Sequence, residues 1–253
     1  MASSDFSGKT ALVFGATAGI GRSTALALAA GGARVVVAGL GADQGREVEG
    51  ELGRAGAEGF FIEADVRDES QVRGALEQAV RRFGRIHVAV NNAGTEGRYG
   101  PVQDSTADDF ERLIGTNLRG VWHGLKHEIP HMLAHGGGAI VNTTSCAGVT
   151  GMAQIALYTA SKHGVVGLTK AAALEVARSN IRINAVAPGP VDTGLLHRMV
   201  GGHVDLATIA EGVPMGRISR PQEIAEGIVW LCSDAASYVT GHTLVIDGGF
   251  TVP

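Results

Sequence analysis

Short runs of aliphatic residues alternate along the chain with longer segments in which apolar residues recur every three or four positions. The short runs, which are bounded by glycine or polar residues, predict seven buried strands at Thr10–Phe14, Val35–Ala38, Gly59–Ala64, Ile86–Asn91, Ala139–Thr144, Ile181–Ala187 and Thr243–Ile246. The longer segments predict helices at Ile20–Ala30, Gln44–Ala55, Ser70–Phe83, Ala107–Ala134, Gln154–Arg178 and Gln222–Ser233. Most strand segments are hydrophobic throughout, as in a parallel sheet that helices cover on both faces. The pattern therefore predicts an α/β fold with a doubly wound, seven-stranded parallel sheet, in which a ligand binds at the carboxyl ends of the strands.

The composition is that of one folded domain, and it limits the choice of partners. Hydrophobic residues make up 45% and charged residues 18% of the 253 residues, so we expect residues 1–253 to build a single large domain. The 21 basic and 25 acidic side chains leave a net charge of −4, and without a basic excess we expect no nucleic-acid partner. Glycine is abundant, with 38 residues, as in proteins whose backbone approaches a ligand closely.

The cysteine count and the hydropathy of the chain indicate its cellular compartment. Cys146 and Cys232 are too few for a disulfide framework or a four-cysteine zinc site, and they favour a reducing compartment. No stretch approaches the ~20 apolar residues of a membrane-spanning helix. The segment from Met1 to Gly8 lacks the basic and apolar regions of a signal peptide. The sequence therefore predicts a soluble, cytoplasmic protein that does not act at a membrane.

A glycine-rich turn lies between the first predicted strand and the first predicted helix, with the spacing G-x-x-x-G-x-G. Glycines at such a turn let the pyrophosphate of a dinucleotide approach the backbone N–H groups at a helix N-terminus, where the helix dipole favours an anion. The glycines alone also fit an ordinary turn, but their place in a strand–turn–helix unit favours a dinucleotide site. The predicted contacts in this loop are Gly15, Thr17, Ala18, Gly19, Ile20 and Gly21.

The second predicted strand ends at Gly39 and Leu40, where folds of this kind hold the adenosine ribose of a dinucleotide. A carboxylate at this point favours NAD and an arginine favours NADP, but the chain has neither residue type there. Asp43 lies slightly further along the chain. The sequence therefore predicts NAD(H) or NADP(H) as the cofactor and leaves the preference open.

Tyr158 and Lys162 lie four residues apart near the start of a predicted helix, which places both side chains on one face. A free tyrosine has a pKa near ~10 and is a weak base at neutral pH. An ammonium about 5 Å away, at an effective dielectric constant of about 20, would favour the phenolate by roughly 3 kcal/mol. We therefore expect Lys162 to lower the pKa of Tyr158 until the phenol can exchange a proton near neutrality. An ordinary surface pair is the alternative.

Two further polar residues favour a catalytic interpretation of this pair. Ser145 ends the fifth predicted strand, on the ligand-binding edge of the sheet, and its hydroxyl can donate to a substrate oxygen that gains negative charge. Asn117 lies inside a long predicted helix, where asparagine is mildly disfavoured, so we expect the helix to open locally and hold a water molecule. A plain exposed asparagine is the alternative at that position.

Together these residues resemble the short-chain dehydrogenase/reductase family, and the resemblance extends over essentially the whole chain. The matching segments are the glycine loop, Asp65-Val66, Asn91-Asn92-Ala93-Gly94, the four residues Asn117, Ser145, Tyr158 and Lys162, the stretch Pro188-Gly189-Pro190-Val191-Asp192-Thr193, and Asp247-Gly248-Gly249. Phe14 departs from the family pattern, in which threonine is usual. This departure affects one local hydrogen bond and leaves the nucleotide site in place.

The resemblance implies a Rossmann domain with the strand order 3-2-1-4-5-6-7. It implies an NAD(P)-dependent oxidoreductase that transfers a hydride between nicotinamide and a ketone or secondary alcohol. In such an enzyme Tyr158 is the general acid/base, Ser145 holds the reacting oxygen, and Lys162 binds the nicotinamide ribose, while Asn117 positions a water. The cofactor contacts implied beyond the glycine loop are Gly39, Leu40, Asp65, Val66, Asn92, Ala93, Gly94, Tyr158, Lys162, Pro188, Gly189, Val191 and Thr193.

The predicted substrate pocket combines two catalytic residues with nearby apolar side chains. Its residues are Ser145, Val149, Met152, Ile155, Tyr158, Leu195 and Leu196. They favour a small-molecule substrate that is a neutral, fairly apolar ketone or secondary alcohol rather than a phosphorylated sugar. Inward-pointing side chains at four other positions would argue against this: Glu96, Arg98, Gln154 and His197. We expect residues 194–212 to form a lid over the substrate.

Four small residues form a ridge on the helix that carries Tyr158 and Lys162, namely Ala160, Gly164, Gly167 and Ala171. Because Tyr158 and Lys162 must face the cofactor, we expect the ridge to contact a second copy of the chain. Packing against the chain's own sheet is the alternative. The family resemblance also implies a homo-oligomer, either a dimer or a tetramer, and a tetramer could bring the tail 251–253 near a neighbour's active site.

Four histidines recur every fourth residue, at His123, His127, His131 and His135. Steps of four drift around a helix of 3.6 residues per turn, and we expect Pro130 to interrupt the helix. We therefore predict no metal site and interpret the row as solvated or interface-lining.

Three other functions are alternatives. An enoyl reductase of the same family places six residues, not three, between the tyrosine and the lysine. A sugar epimerase or dehydratase usually needs a longer substrate domain and a different glycine spacing. A catalytically silent nucleotide-sensing protein of the same fold usually lacks the tyrosine or the lysine, and this chain has both.

Overall fold

In a computed structural model, which describes residues 5–252, strands and helices alternate along the chain. The strands are β1 (Thr10–Phe14), β2 (Arg34–Gly39), β3 (Gly59–Glu63), β4 (Val88–Asn91), β5 (Gly138–Thr143), β6 (Ile181–Pro188) and β7 (Thr243–Ile246). The helices are α1 (Gly19–Ala30), α2 (Ala42–Arg54), α3 (Glu69–Phe83), α4 (Ala107–Leu113), α5 (Gly120–Ala134), α6 (Ala156–Val176), α7 (Gly194–Val200), α8 (Leu206–Glu211) and α9 (Pro221–Cys232). All strand pairs are parallel, in the order β3-β2-β1-β4-β5-β6-β7, which confirms the predicted fold class and strand order.

Helices cover both faces of the sheet. Leu12 of β1 and Ile140 of β5 belong to the core beneath α3, α5 and α6, while Val13 of β1 belongs to the core beneath α1, α2 and α9. Neighbouring residues of one strand point to opposite faces, so both faces of the central strands must be apolar. Each fully buried aliphatic side chain contributes roughly 1.5–3 kcal/mol, and β1 is buried along its whole length. The two cores thus hold the strand ends, and the loops that follow them, in fixed positions.

The predicted strands agree with the observed ones to within two residues at each end, but two helix predictions need correction. Helix α6 begins at Ala156 rather than at Gln154, because Gln154 has a left-handed φ of 69° and cannot start a helix. Pro130 does not interrupt the helix, since α5 continues through it to Ala134. Proline has a helical φ and costs a helix only one backbone bond together with a local clash, which the end of this helix tolerates.

The segment expected to form a lid contains the two short helices α7 and α8, which the hydrophobic pattern did not predict. Thr193 caps α7 by accepting from the Leu196 N–H, and Asp205 caps α8 by accepting from the Ala207 N–H. None of the helices within residues 5–252 is long and apolar enough to span a bilayer. Residues 1–4, at the start of the segment that lacks signal-peptide features, and the tail residue 253 lie outside the described residues.

Candidate active site

The loops after β1 to β6 surround a cavity of about 890 Å³ at the carboxyl ends of the strands. Most predicted site residues line it: Gly15, Thr17, Ala18, Gly19, Ile20, Gly39, Leu40, Asp65, Val66, Asn92, Ala93, Gly94, Ser145, Met152, Ile155, Tyr158, Lys162, Pro188, Gly189, Val191, Thr193, Leu195 and Leu196. Three others are not among the residues that line it, namely Gly21, Asn117 and Val149. One continuous space thus brings together the residues expected to hold a dinucleotide and those expected to hold a substrate.

The glycine loop fits a pyrophosphate because it leaves no room for side chains. Gly15 has a φ of +72°, and a Cβ there would lie 2.6 Å from the backbone nitrogen of Ala93. A Cβ on Gly21 would collide with the carbonyl oxygen of Gly15, so Gly21 shapes the loop from behind. At the N-terminus of α1, Ala18 provides no side-chain cap, and the first N–H groups of the helix are therefore available to an anion.

At the end of β2, the part of the cavity expected to hold adenosine has no charged residue that would select between NAD and NADP. Leu40 lines the cavity there, while Asp43 has a side chain that is 92% exposed and pairs with Arg46 at 2.6 Å. Asp43 therefore faces solvent, and it is not among the residues that line the cavity. Beyond β3, Arg67 lines the cavity and forms an ion pair of 2.6 Å with Asp65, which holds the pKa of that carboxyl below its ordinary value.

Tyr158, Lys162 and Ser145 meet at the centre of the cavity. Helix α6 places the Lys162 Nζ 5.7 Å from the centre of the Tyr158 ring, and both side chains are buried. The Lys162 Nζ donates to the carbonyl oxygen of Thr143 at 3.0 Å. The Ser145 Oγ accepts from the Ala147 N–H at 3.1 Å. The structure therefore excludes the alternative in which Tyr158 and Lys162 form an ordinary surface pair.

The prediction that Lys162 lowers the pKa of Tyr158 is wrong for the protein without its cofactor. Burial raises the pKa of Tyr158 to about 12, and the neighbouring Ser145 hydroxyl offsets this only in part. Burial also lowers the pKa of Lys162 to about 8. Loss of hydration disfavours the charged form of each group, and it is the largest influence on both pKa values in this enclosed site. An acidic phenol therefore needs a further positive charge at the site.

Asn117 lies in a π-helical segment, Ile114–Arg119, so the structure shows the local opening expected between α4 and α5. The residue is fully buried, which excludes the exposed alternative. Its Oδ1 accepts from the Thr95 N–H at 2.8 Å, and its Nδ2 donates to the Thr95 carbonyl oxygen and to the Ser161 Oγ. Asn117 thus ties the loop after β4 to α6, and its role in positioning a water stays a prediction.

The substrate end of the cavity is mainly apolar, with one correction to the predicted pocket. Val149 is 41% exposed and lies outside the cavity lining, because the turn after β5 directs its side chain outward. The polar residues that would have argued against an apolar pocket are likewise not among the residues that line it: Glu96, Arg98, Gln154 and His197. Glu96 instead pairs with Arg198, and His197 pairs with Asp192.

Several residues that line the cavity were not predicted as site residues: Arg67, Arg112, Thr116, Thr143 and Phe250. Arginines on helices usually face solvent, and nothing in the sequence distinguishes Arg112 from such a residue. Arg112 donates to the Thr95 Oγ1 and to the Glu96 carbonyl oxygen, so it supports the loop after β4. For Phe250 a signal existed, because it directly follows the Asp247-Gly248-Gly249 segment.

Each member of the histidine row is engaged by a neighbouring protein atom. His123 bonds the Val66 carbonyl oxygen and His127 bonds Glu69, while His131 accepts from the Ile86 N–H and His135 bonds the His131 carbonyl oxygen. Within residues 5–252, no group of three or more histidine, cysteine, aspartate or glutamate side chains is placed to hold a metal ion.

Comparison with known proteins extends these observations. A family model described as enoyl-(acyl carrier protein) reductase matches residues 15–251. The chain is 41% identical over 249 residues to cyclohexanol dehydrogenase from Acinetobacter sp. (strain SE19), and the alignment covers 98% of this chain and 97% of that protein.

Solved structures give the same result at the level of the fold. The crystal structure of NAD⁺-bound xylitol dehydrogenase has a TM-score of 0.93 and 36% identity, over 96% of this chain and 99% of that one. A variant of actinorhodin polyketide ketoreductase with NADPH also has a TM-score of 0.93, with 37% identity over 97% of this chain and 98% of that one. From these matches and the ordered motifs around its cavity, the chain belongs to the short-chain dehydrogenase/reductase family of nicotinamide-dependent oxidoreductases.

Proposed function

We propose that the protein is an NAD(P)-dependent alcohol dehydrogenase or ketoreductase that interconverts a compact, neutral ring alcohol and its ketone. One observation carries this proposal: the buried Tyr158–Lys162 pair and Ser145 share a single cavity with an apolar wall. A relative whose name states that it acts on cyclohexanol supports the substrate class. The enoyl reductase activity in the family description is disfavoured by the three residues, rather than six, between Tyr158 and Lys162.

The site residues divide the chemistry among them. Tyr158 donates its proton to the carbonyl oxygen during reduction and accepts the alcohol proton during oxidation. The Ser145 Oγ accepts from the Ala147 N–H and donates at 3.8 Å to the weakly accepting Cys146 Sγ, so its hydrogen can turn to donate to the same oxygen instead. The Lys162 Nζ uses one of its three donors on Thr143, which leaves two for ribose hydroxyls. When bound, the nicotinamide cofactor supplies or accepts the hydride, and its oxidised ring adds positive charge beside the phenol.

A spectrophotometric assay tests the proposal. The purified protein is mixed with cyclohexanol and NAD⁺ or NADP⁺, and in the reverse direction with cyclohexanone and NADH or NADPH, while the absorbance of the reduced cofactor is followed. We expect turnover of the ring alcohol and ketone, and no turnover of a phosphorylated sugar. Because Leu40 supplies neither a carboxylate nor a cation, the experiment compares the two cofactors directly. Cofactor binding without any turnover would instead support the silent nucleotide-sensing alternative.

We further propose that residues 194–212 close over the substrate as a lid. Two contacts join this segment to the loop after β4 at the edge of the cavity. Arg198 donates twice to the Glu96 carboxylate, at 2.8 and 3.0 Å, and the rings of Tyr99 and His203 stack with their centres 5.6 Å apart. Both contacts join surface segments, so they can break and re-form without disturbing the core.

The substitution Glu96→Gln tests the lid. Loss of the ion pair is expected to raise KM for the substrate about fivefold, equivalent to about 1 kcal/mol, with little change in kcat. The measurement is steady-state kinetics at low salt, where exposed ion pairs are strongest. Glu77→Gln removes a surface carboxylate that pairs within α3 and should leave KM unchanged. An unchanged KM in the Glu96 variant would contradict the lid.

We also propose a homo-oligomer, a dimer or a tetramer, formed in part by the ridge on α6. Ala160, Gly167 and Ala171 are exposed, which argues against packing of the ridge on the chain's own sheet, whereas Gly164 lies against Leu118. Leu174, one turn further along, is 81% exposed. Light scattering is expected to give the mass of a dimer or tetramer for the wild type and a smaller mass for Gly167→Glu. A monomeric wild type at micromolar concentration would contradict the proposal.

Cytoplasmic localisation is supported by the state of the two cysteines. Cys146 and Cys232 are both buried and unpaired, and burial raises the pKa of each thiol, to about 11 and about 12. The structure holds both residues as free thiols rather than as a disulfide. We therefore retain the cytoplasm as the proposed compartment.

A further inference from the structure

The C-terminal segment of the chain is fixed by a tight turn after β7. The Asp247 carboxylate accepts from the Gly249 N–H at 2.9 Å, the Thr251 N–H at 2.9 Å and the Thr251 Oγ1 at 2.6 Å. Gly248 and Gly249 have φ values of +64° and +88°, which only glycine adopts without strain. Because these interactions fix both sides of position 250, its side chain has little freedom of direction.

Phe250 is the residue that this turn presents to the cavity. Its Cε2 lies 3.9 Å from the position that a Cβ would take on Gly212, the residue that follows α8. The turn itself packs on the segment that leaves the lid, since a Cβ on Gly249 would lie 3.1 Å from Pro214. The aromatic ring therefore stands between the anchored end of β7 and the end of the lid.

Five of the apolar residues that line the cavity belong to the lid itself, namely Leu195, Leu196, Met199, Val204 and Ile209, whereas Met152 and Ile155 precede α6. A wall that moves with a lid can adapt to substrates of different size. The ring of Phe250 is attached to the sheet through Asp247, so it does not retreat when the lid opens. A fixed aromatic wall sets a limit on substrate size that lid movement cannot relax.

We infer that Phe250 is a specificity-determining residue, whose ring limits the size of the substrate that fits beneath the lid. This inference rests on the proposed function and deepens it by assigning the size limit to one side chain. We expect an unsubstituted six-membered ring alcohol to be accepted beneath the lid and a bulky group on the far side of the ring to meet Phe250. Shortening the Phe250 side chain should therefore widen the range of accepted alcohols and weaken the binding of small alcohols.

The experiment compares the wild type, Phe250→Ala and the milder Phe250→Leu, with cyclohexanol and 4-tert-butylcyclohexanol as substrates. For Phe250→Ala we expect the ratio of kcat/KM for the bulky alcohol to that for cyclohexanol to rise about tenfold or more, because a few methyl groups are worth this much in a close pocket. The KM for cyclohexanol should rise about fivefold, since ring contacts are lost, with a smaller change in kcat. Phe250→Leu should change the ratio in the same direction, by a smaller factor.

Phe110→Ala is the matched control, because Phe110 on α4 is also a phenylalanine, is 46% exposed and does not line the cavity. Thermal unfolding and cofactor binding by calorimetry show whether each variant is folded with an intact nucleotide site. If both Phe250 variants leave the ratio of kcat/KM for the bulky alcohol to that for cyclohexanol within about twofold of the wild type, or if Phe110→Ala changes this ratio equally, the inference is overturned while the proposed function stands. If the folded wild type binds cofactor but neither oxidises the two alcohols nor reduces the corresponding ketones, both the inference and the proposed function are overturned.

Discussion

Replacing Tyr158 with phenylalanine is expected to lower kcat by about a thousandfold while cofactor affinity stays nearly unchanged. The variant removes only the hydroxyl that exchanges a proton with the substrate. The ring remains, and because the residue is 7% exposed and packs against Leu113 and Ala147, its packing should be preserved. The measurement is steady-state kinetics with cyclohexanol and cyclohexanone, together with calorimetric titration of the cofactor.

Neighbouring groups explain why some activity and full binding should persist in this variant. Ser145 still donates to the substrate oxygen, so part of the stabilisation of developing charge survives. Lys162 keeps its hydrogen bond to the Thr143 carbonyl oxygen, and with it the position proposed for binding the cofactor ribose. Loss of binding would therefore indicate a misplaced helix α6 rather than a missing proton donor.

Tyr238→Phe is the matched control, because Tyr238 lies on the surface, far more exposed than Tyr158, and does not line the cavity. It should keep the full rate. If Tyr158→Phe retained about a tenth of the wild-type kcat or more, another group would be transferring the proton and the proposed mechanism would be wrong.

The sequence was most informative where a motif reflects local geometry. Strands that are apolar on both faces predicted the parallel sheet, and glycines with fixed spacing predicted the loop at the N-terminus of α1. The separation of Tyr158 and Lys162 predicted their common face. Each of these features depends on residues that are close in sequence, so spacing alone is sufficient.

Features that depend on tertiary packing were missed or misjudged. The spacing of Tyr158 and Lys162 does not show how completely both are enclosed, and that burial reverses the expected change in the tyrosine pKa. Val149 reads as a pocket residue but faces outward, while Phe250 lines the cavity from almost the end of the chain. Both residues lie in irregular segments, where hydrophobic periodicity does not show which side chains face the cavity.

Glu128 is the clearest example of a feature that the sequence does not predict, since a glutamate on an amphipathic helix is ordinarily solvated. In the structure it is 1% exposed on α5, where its Oε2 accepts from the Asn91 Nδ2 at 3.0 Å and its Oε1 has no partner. Asn91 also donates to Asn142, which in turn donates to Thr169. Burial raises the pKa of Glu128 to about 7 from an ordinary 4.5, and the Asn91 hydrogen bond opposes this only weakly, without help from any charged neighbour.

This raised pKa makes stability depend on pH in a defined direction. Below about pH 4.5 the carboxyl is protonated in both the folded and unfolded chains and costs nothing. Between about 4.5 and 7 the unfolded chain loses its proton first, so the free energy of unfolding falls as the pH rises. Above about pH 7 both states are ionised, and a penalty of roughly 3 kcal/mol remains for the buried carboxylate.

Glu128→Gln is therefore expected to remove most of this pH dependence. The amide is neutral at every pH, and its oxygen can still accept from Asn91. Relative to the wild type, the free energy of unfolding of the variant should rise by roughly 2–3 kcal/mol between about pH 5 and pH 8. Urea denaturation at both pH values and at one protein concentration measures the change. For Glu226→Gln, at an exposed position on α9, the free energy of unfolding should change with pH by the same amount as in the wild type. If that of Glu128→Gln also changed by this amount, the buried carboxyl would have to be ionised without cost, which its unpartnered oxygen does not allow.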